Sequence, residues 1–380
     1  MSTNSVVGGD RPAMAGPLAW SSGLAGQHDR GMSVRLRMIA AVTAVMSLSS
    51  PAAQAGETPP RFADGFGLTV TSQPRWVDEN RRTFVFSVST DQVPAPTLLQ
   101  GQEPGRHAVV VTLPDDYDET TRSYPVQYYL HGHPDRPDAA WNQRVVERAA
   151  AGTDLITVQP NGSGRGWYSN WVNPGAAGPQ NWETFHLEQV IPFVDANLRT
   201  KATRADRAIV GHSMGGFGAL HYAEHRPDLF GYAGSFSGGL DLRNSELRAA
   251  ITATMVNPAS GTPTVNADAV FGPPVWPFDG VWNAQSPAHH VASLRGMGVA
   301  LYTGDGGDLT VNPIQAVLEN RARETALVTA AHLRAANIPF HFSDYGDGSG
   351  WAPGCTGKHA DEACVQADMN HFVGLFTRHA

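Results

Sequence analysis

The stretch Ala208-Ile209-Val210-Gly211-His212-Ser213-Met214-Gly215-Gly216-Phe217-Gly218-Ala219-Leu220 decides how the rest of the chain is read. Ala208 to Val210 is a short apolar run of the kind that forms a buried strand, and it ends in Gly-x-Ser-x-Gly. The small residues that follow suit a helix starting close against that strand. In this setting the pattern is a nucleophile elbow, a sharp strand-to-helix turn that holds a serine in strained backbone with its oxygen exposed. Gly211 and Gly215 leave the room that the crossing of strand and helix requires. Ser213 is the candidate nucleophile.

A chain of 380 residues with 41% hydrophobic composition can bury the core of one large domain or of two smaller ones. Residues 1–31 show no apolar periodicity and read as a disordered extension. From Met32 the pattern sharpens. Arg35 and Arg37 form a basic start, Met38 to Leu48 an apolar stretch, and Ala53-Gln54-Ala55 a small-x-small cleavage site. That is a secretory signal peptide over about residues 32–55, and it predicts a secreted or extracytoplasmic mature protein. The apolar stretch is too short to span a bilayer, and no other stretch approaches the needed length, so no stable membrane span is expected.

Removing residues 1–55 takes away four Arg and two Asp, which leaves 23 basic and 33 acidic side chains and a net charge of −10. Such a surface repels phosphate backbones and argues against a nucleic-acid partner. Cys355 and Cys364 are the chain's two cysteines, and in an exported protein the default for such a pair is a disulfide. Closing so small a loop stabilises the fold by about 2.5 to 3 kcal/mol on the chain-entropy account. Zinc is not expected there, because only His359 and two carboxylates accompany the thiols.

Residues 56–79 open rich in Pro and Gly and read as a linker, with the catalytic domain expected over 80–380. Short apolar or alternating runs at Thr83 to Ser89, Ala108 to Leu113, Pro125 to Leu130, Leu155 to Gln159, Tyr232 to Ser237, Val299 to Thr303 and Ile338 to Tyr345 predict strands. They alternate with helical segments, the pattern of a mostly parallel, doubly wound α/β sheet covered on both faces. Trp182 to Leu198 has helical spacing, with a kink expected at Pro192. Asn312-Pro313 predicts an N-cap and first turn for a helix to about Ala336. A last helix is expected from about Asp361 to Arg378. Leu240 to Met297, rich in Pro and Trp, reads as an insertion above the strand ends.

A serine hydroxyl needs a base to take its proton and a carboxylate to orient that base. In an α/β-hydrolase these follow the serine in the order acid, then histidine. His332 falls inside a helix, His341 inside a strand and His379 at the chain end. His359, in a loop just before the last helix, is the expected base, and His371 within that helix is the alternative. Asp308 follows a strand end and is favoured as the acid on spacing alone; Glu319, two turns into the next helix, is the competitor. Acyl transfer also needs two N–H donors for the oxyanion. These are expected from the backbone of Met214 and, after the strand Tyr128-Tyr129-Leu130, from that of His133. His131, Arg165, Trp167 and Trp171 are the expected substrate-binding residues.

The chain resembles the esterase D family of α/β-hydrolases, which includes S-formylglutathione hydrolase and the secreted antigen 85 mycolyltransferases. The resemblance covers about residues 80–376. It rests on Pro125-Val126 through Leu130-His131-Gly132, Trp167-Tyr168-Ser169-Asn170-Trp171, Trp182-Glu183-Thr184-Phe185 with Val190-Ile191-Pro192, Gly211 to Gly216, Phe271-Gly272 and Ser286-Pro287. It implies the α/β-hydrolase fold. In the mycolyltransferase-like branch the acid is a glutamate within Leu-Glu-Asn, so Leu318-Glu319-Asn320 moves Glu319 ahead of Asp308. Gly357-Lys358-His359 matches that branch's Gly-x-His, but Ala360 to Val365 lacks the tryptophans that follow it there. His131 and Pro134 stand where the mycolyltransferases carry an acidic residue and then an arginine, which turns the expectation toward simple ester hydrolysis. The activity expected is thus a secreted serine esterase acting on a small-molecule or lipid ester without a cofactor. An acyltransferase passing the acyl group to a sugar or lipid alcohol is the first alternative, and a catalytically dead binding protein the second.

Overall fold

The computed structural model of the protein describes residues 58–94, 105–256 and 265–378. The expected signal peptide, the expected extension before it and His379 lie outside the described residues. Among these residues the strands are β1 (Leu68–Trp76), β2 (Thr83–Thr90), β3 (His107–Thr112), β4 (Val126–Leu130), β5 (Ile156–Pro160), β6 (Arg207–His212), β7 (Tyr232–Phe236), β8 (Gly298–Thr303) and β9 (His341–Asp344). They form one sheet in the order β1-β2-β3-β5-β4-β6-β7-β8-β9. Pairing is antiparallel from β1 to β5 and parallel from β5 to β9.

Residue alternation along the parallel strands assigns the two faces. Tyr129, Ala208, Val210, Tyr232 and Phe236 share one buried cluster with Val145 and Val146 of α1 (Ala140–Ala150) and with Met369, Phe372 and Phe376 of α8 (Glu362–Phe376). Tyr128, Leu130, Ile209 and Ala233, one position out of step, belong to the larger cluster on the other face. That face is covered by the helical run Trp182–Asn197, by α4 (Met214–His225) and by α7 (Pro313–Ala335). Burial on both sides explains why these strands read as continuous apolar runs.

Several sequence expectations are corrected. The stretch read as a linker contains β1, whose mixed pattern of exposed and half-buried residues is that of an edge strand. The Trp182–Asn197 run accommodates Pro192 by widening: α2 (Trp182–Thr184) passes into a π-helical turn, Phe185–Val190, and then into α3 (Ile191–Asn197) with the proline in its first turn. The wider turn eases the clash of a proline ring with the carbonyl four residues back. Asn312 makes no side-chain cap; it sits in the left-handed region at φ 47°, and Pro313 opens α7. β9 is shorter than the apolar run that announced it, because Pro339 has no N–H to give a ladder. The region after Leu240 is helical in part, with α5 (Ser245–Val256) and α6 (Gly280–Ala284).

The parallel arrangement puts the carboxyl ends of β4, β6, β8 and β9 along one edge. The segments leaving them carry His131 to His133, Ser213, Gly304 and the loop to His359. Ligand sites of open α/β sheets form at this edge.

Candidate active site

Ser213 lies between β6 and α4 with φ 56° and ψ −116°, a strained conformation for a residue with a side chain. Neighbours impose it: the Ser213 N–H donates to the Phe236 carbonyl at 2.8 Å, and the Phe217 N–H closes onto the Ser213 carbonyl at 3.1 Å. Helix and strands come so close that a Cβ at Gly211 would strike the Gly215 carbonyl, and one at Gly215 the Leu130 carbonyl. The elbow therefore depends on those two glycines.

The Ser213 Oγ is 2.8 Å from His359 Nε2, and His359 Nδ1 is 2.9 Å from Glu319 Oε2. Glu319 is fully buried. Its other oxygen, Oε1, accepts from Ser237 Oγ at 2.7 Å, Thr303 Oγ1 at 3.0 Å and the Gly304 N–H at 2.7 Å. Three donors on one oxygen fix the orientation of the carboxylate. With Oε2 accepting from Nδ1–H, His359 Nε2 is left as the acceptor for the serine proton. The order Ser, Glu, His along the chain thus becomes a linear hydrogen-bonded array in space.

His359 is held from several sides. Its N–H donates to the Gln315 carbonyl at 3.2 Å, Gly306 N–H donates to the Gly357 carbonyl at 2.9 Å, and Lys358 Nζ donates to the Gly306 carbonyl at 3.0 Å. Cys355 and Cys364 are joined in a disulfide that brackets the loop. Asp361 caps α8 by accepting from the Ala363 and Cys364 N–H groups.

The alternatives lie elsewhere. Asp308 spends Oδ1 on the Thr310 N–H and hydroxyl, at 2.8 and 2.7 Å, in an exposed turn. His371 Nδ1 is hydrogen-bonded to the Tyr302 hydroxyl at 2.9 Å, on the α8 side of the sheet. Neither joins the Ser213 array.

Gly132 rests directly against the elbow, where a Cβ on it would come within 3.2 Å of Ser213 Cβ, and His133 is the next residue. Met214 is the first residue of α4. Both backbone N–H groups named from the sequence therefore belong to segments that meet at the serine.

The residues expected to bind substrate are buried within the loops around the site. His131 is 1% exposed and works within the loop: its Nε2 accepts from the Gly162 N–H at 2.9 Å and its Nδ1 donates to the Gly132 carbonyl at 3.0 Å. Burial holds its pKa down to about 4, which keeps it neutral, as that pair of bonds requires. Trp167 and Trp171 are buried, their indole N–H groups donating to Thr254 Oγ1 at 2.9 Å and to the Gly166 carbonyl at 3.0 Å. Arg165 is buried too and donates to the Met255 carbonyl at 2.8 Å. These three side chains pin the segment after β5, two of them to α5; large amphipathic groups in a loop are buried where their polar ends find partners.

Sequence reasoning missed Ser237, Thr303 and His212. Ser237 directly follows β7 and Thr303 ends β8, positions that the strand pattern alone marks. His212 is fully buried, and its ring centroid is 5.1 Å from that of His359. Burial first, and the neighbouring His359 second, lower its pKa well below the usual value, so it presents an uncharged face to the array.

Comparison with known proteins gives the family. The family described as "Putative esterase" matches residues 103–361. The chain belongs to that family. Esterase Rv1288 of Mycobacterium tuberculosis is 35% identical over 247 residues, covering 65% of this chain and 50% of that protein. Diacylglycerol acyltransferase/mycolyltransferase Ag85A of Mycobacterium leprae is 32% identical over 158 residues, covering 40% of this chain and 45% of that protein. The chain spans about half the length of the curated relatives it matches. An S-formylglutathione hydrolase from Agrobacterium tumefaciens superposes with a TM-score of 0.56 at 15% identity, covering 83% of this chain and 97% of that one. The fold is that of the α/β-hydrolases.

Proposed function

We propose that this member of the esterase family is a secreted serine esterase that hydrolyses small-molecule or lipid carboxylic esters through an acyl-enzyme on Ser213. The observation that carries the reading is the array Ser213 Oγ, His359 Nε2, His359 Nδ1, Glu319 Oε2, with contacts of 2.8 and 2.9 Å. The hydroxyl attacks the ester carbonyl carbon as His359 Nε2 takes its proton. Glu319 keeps the imidazole oriented and offsets the charge it gains. The former carbonyl oxygen, now anionic, accepts from the Met214 and His133 N–H groups; Met214 adds the favourable dipole of the helix it opens. His359 returns the proton to the alcohol oxygen as the C–O bond breaks, leaving the acyl group on Ser213. Water, activated by the same imidazole, then releases the carboxylic acid.

The signal-peptide pattern before residue 56 and the Cys355–Cys364 disulfide support an oxidising, extracytoplasmic location. A second reading, acyl transfer to a sugar or lipid alcohol, is favoured by the similarity to an acyltransferase/mycolyltransferase. Both share the acyl-enzyme and separate at the acceptor. A p-nitrophenyl ester series of increasing acyl length, run with and without added alcohols, tests them. Free acid as the main product supports the esterase, and predominant alkyl or glycosyl ester supports transfer. A fluorophosphonate that leaves Ser213 unlabelled overturns both and favours a binding protein.

A further inference from the structure

A second carboxylate–imidazole cluster lies well away from Ser213. Glu183, in α2, meets His221 and His225, spaced four apart on one face of α4. His225 Nδ1 is 2.7 Å from Glu183 Oε1, and His221 Nε2 is 3.3 Å from Glu183 Oε2. One nitrogen from each ring and one carboxylate oxygen all lie within 4.8 Å of one another. Tetrahedral ligands around zinc, each at 2.0–2.2 Å, stand about 3.4 Å apart. The cluster therefore needs only a small closure to surround an ion.

Two further observations point to a ligand. The His221 side chain is 2% exposed, and its Nε2, aimed at the cluster, meets only Glu183 Oε2, at 3.3 Å and without hydrogen-bond alignment. A surface hollow of about 430 Å³ reaches Glu183 and His225 between Asn170, Leu187 and Arg226, giving an entry path and space for water. Arg226 does not oppose a cation there as a free charge, since it is paired with Asp228 and Glu188 at 2.8 and 3.1 Å.

We propose that Glu183, His221 and His225 bind one zinc ion, with water in the fourth position, and that the ion clamps α2 to α4. Two imidazoles and one carboxylate make a borderline donor set that suits Zn²⁺ and its probes Co²⁺ and Ni²⁺ rather than Ca²⁺ or Mg²⁺. Eight residues of helix at 1.5 Å each place His221 about 12 Å along α4 from Ser213, so the ion takes no part in the ester chemistry. Its role is to hold the helix that carries the elbow.

The test uses tag-free full-length protein stripped with a chelator. Zinc titrated calorimetrically is expected to bind one equivalent and to raise the melting temperature; Co²⁺ is expected to give visible ligand-field bands. His225→Ala, at an exposed position near the helix end, keeps the fold, and Glu183→Gln removes the carboxylate charge. Each is expected to weaken zinc binding at least about tenfold, since loss of even an outer-shell partner costs that much, and to abolish the cobalt bands. Absence of uptake in the parent protein, or equal uptake in both variants, overturns the site and leaves an ordinary buried ion cluster.

Discussion

Two carboxylate–imidazole clusters in one domain differ in what the imidazole faces next. At Glu319 the carboxylate is fully buried, its second oxygen is occupied by three donors, and the imidazole turns its free nitrogen to the Ser213 hydroxyl. At Glu183 the carboxylate is partly exposed, shared by two imidazoles, and opens onto a surface hollow. The same pair of residue types thus suits the proposed proton transfer in one place and the proposed ion binding in the other. The third group decides, together with the donors that fix the carboxylate.

The sharpest way to break this contrast is at the third group itself. Ser213→Ala is expected to lower kcat for ester hydrolysis by about 10⁶-fold with the fold intact, as removal of a triad nucleophile does elsewhere. Next comes the paired amide exchange. Glu319→Gln deprives His359 of its orienting charge and is expected to cost about 10⁴-fold in kcat. Glu183→Gln should leave kcat within about twofold. Steady-state kinetics on a p-nitrophenyl ester measures all three; a comparable loss in both amide variants would erase the distinction between the clusters.

The contrast also explains which features are legible in the amino-acid sequence alone. The elbow is legible because its parts are adjacent in the chain: strand, Gly211, Ser213, Gly215 and helix make one local pattern. The continuous apolar runs of β4 to β8 announce the parallel sheet because burial on both faces leaves its mark on every residue. Glu319 is different. Position alone favours Asp308, since the environment that selects the acid is assembled from Ser237, Thr303 and Gly304, which come from two other chain segments. The Leu-Glu-Asn resemblance supplies what spacing does not. The packing of Trp167 and Trp171 is illegible for a related reason: the partners of their indole N–H groups, Thr254 and Gly166, are set by the fold rather than by the local pattern. The Glu183 cluster leaves no such trace, because Glu183 and His221 are far apart in sequence and each alone fits an ordinary helix.

A histidine with no carboxylate partner extends the comparison to pH. His131 is held neutral by burial, with its pKa down at about 4 against an ordinary 6.5. A depressed folded-state pKa means that the unfolded chain takes up the proton first, so this contribution to stability is present above about pH 6.5 and is lost as the pH falls toward 4. At pH 5 the loss is about 2 kcal/mol. His131→Gln, which can accept from the Gly162 N–H without titrating, should therefore lose about that much less stability than the parent between pH 7.5 and pH 5. Urea unfolding of both proteins at the two pH values reads the difference, and parallel losses would mean that His131 titrates normally.

The smallest expected effect probes how the Glu319 carboxylate is fixed. Ser237→Ala removes one of three donors to Oε1 and leaves Thr303 Oγ1 and the Gly304 N–H in place. The alanine creates no unpaired donor, so the cost is confined to one charge-assisted hydrogen bond, worth about 1.5 kcal/mol. Part of that falls on stability and part on the orientation of His359, so kcat is expected to drop by about three- to tenfold while KM stays put. An unchanged kcat would show that the two remaining donors fix the carboxylate by themselves. A loss as large as that of Glu319→Gln would instead place Ser237 inside the proton-transfer array, which its position on the far oxygen of Glu319 argues against.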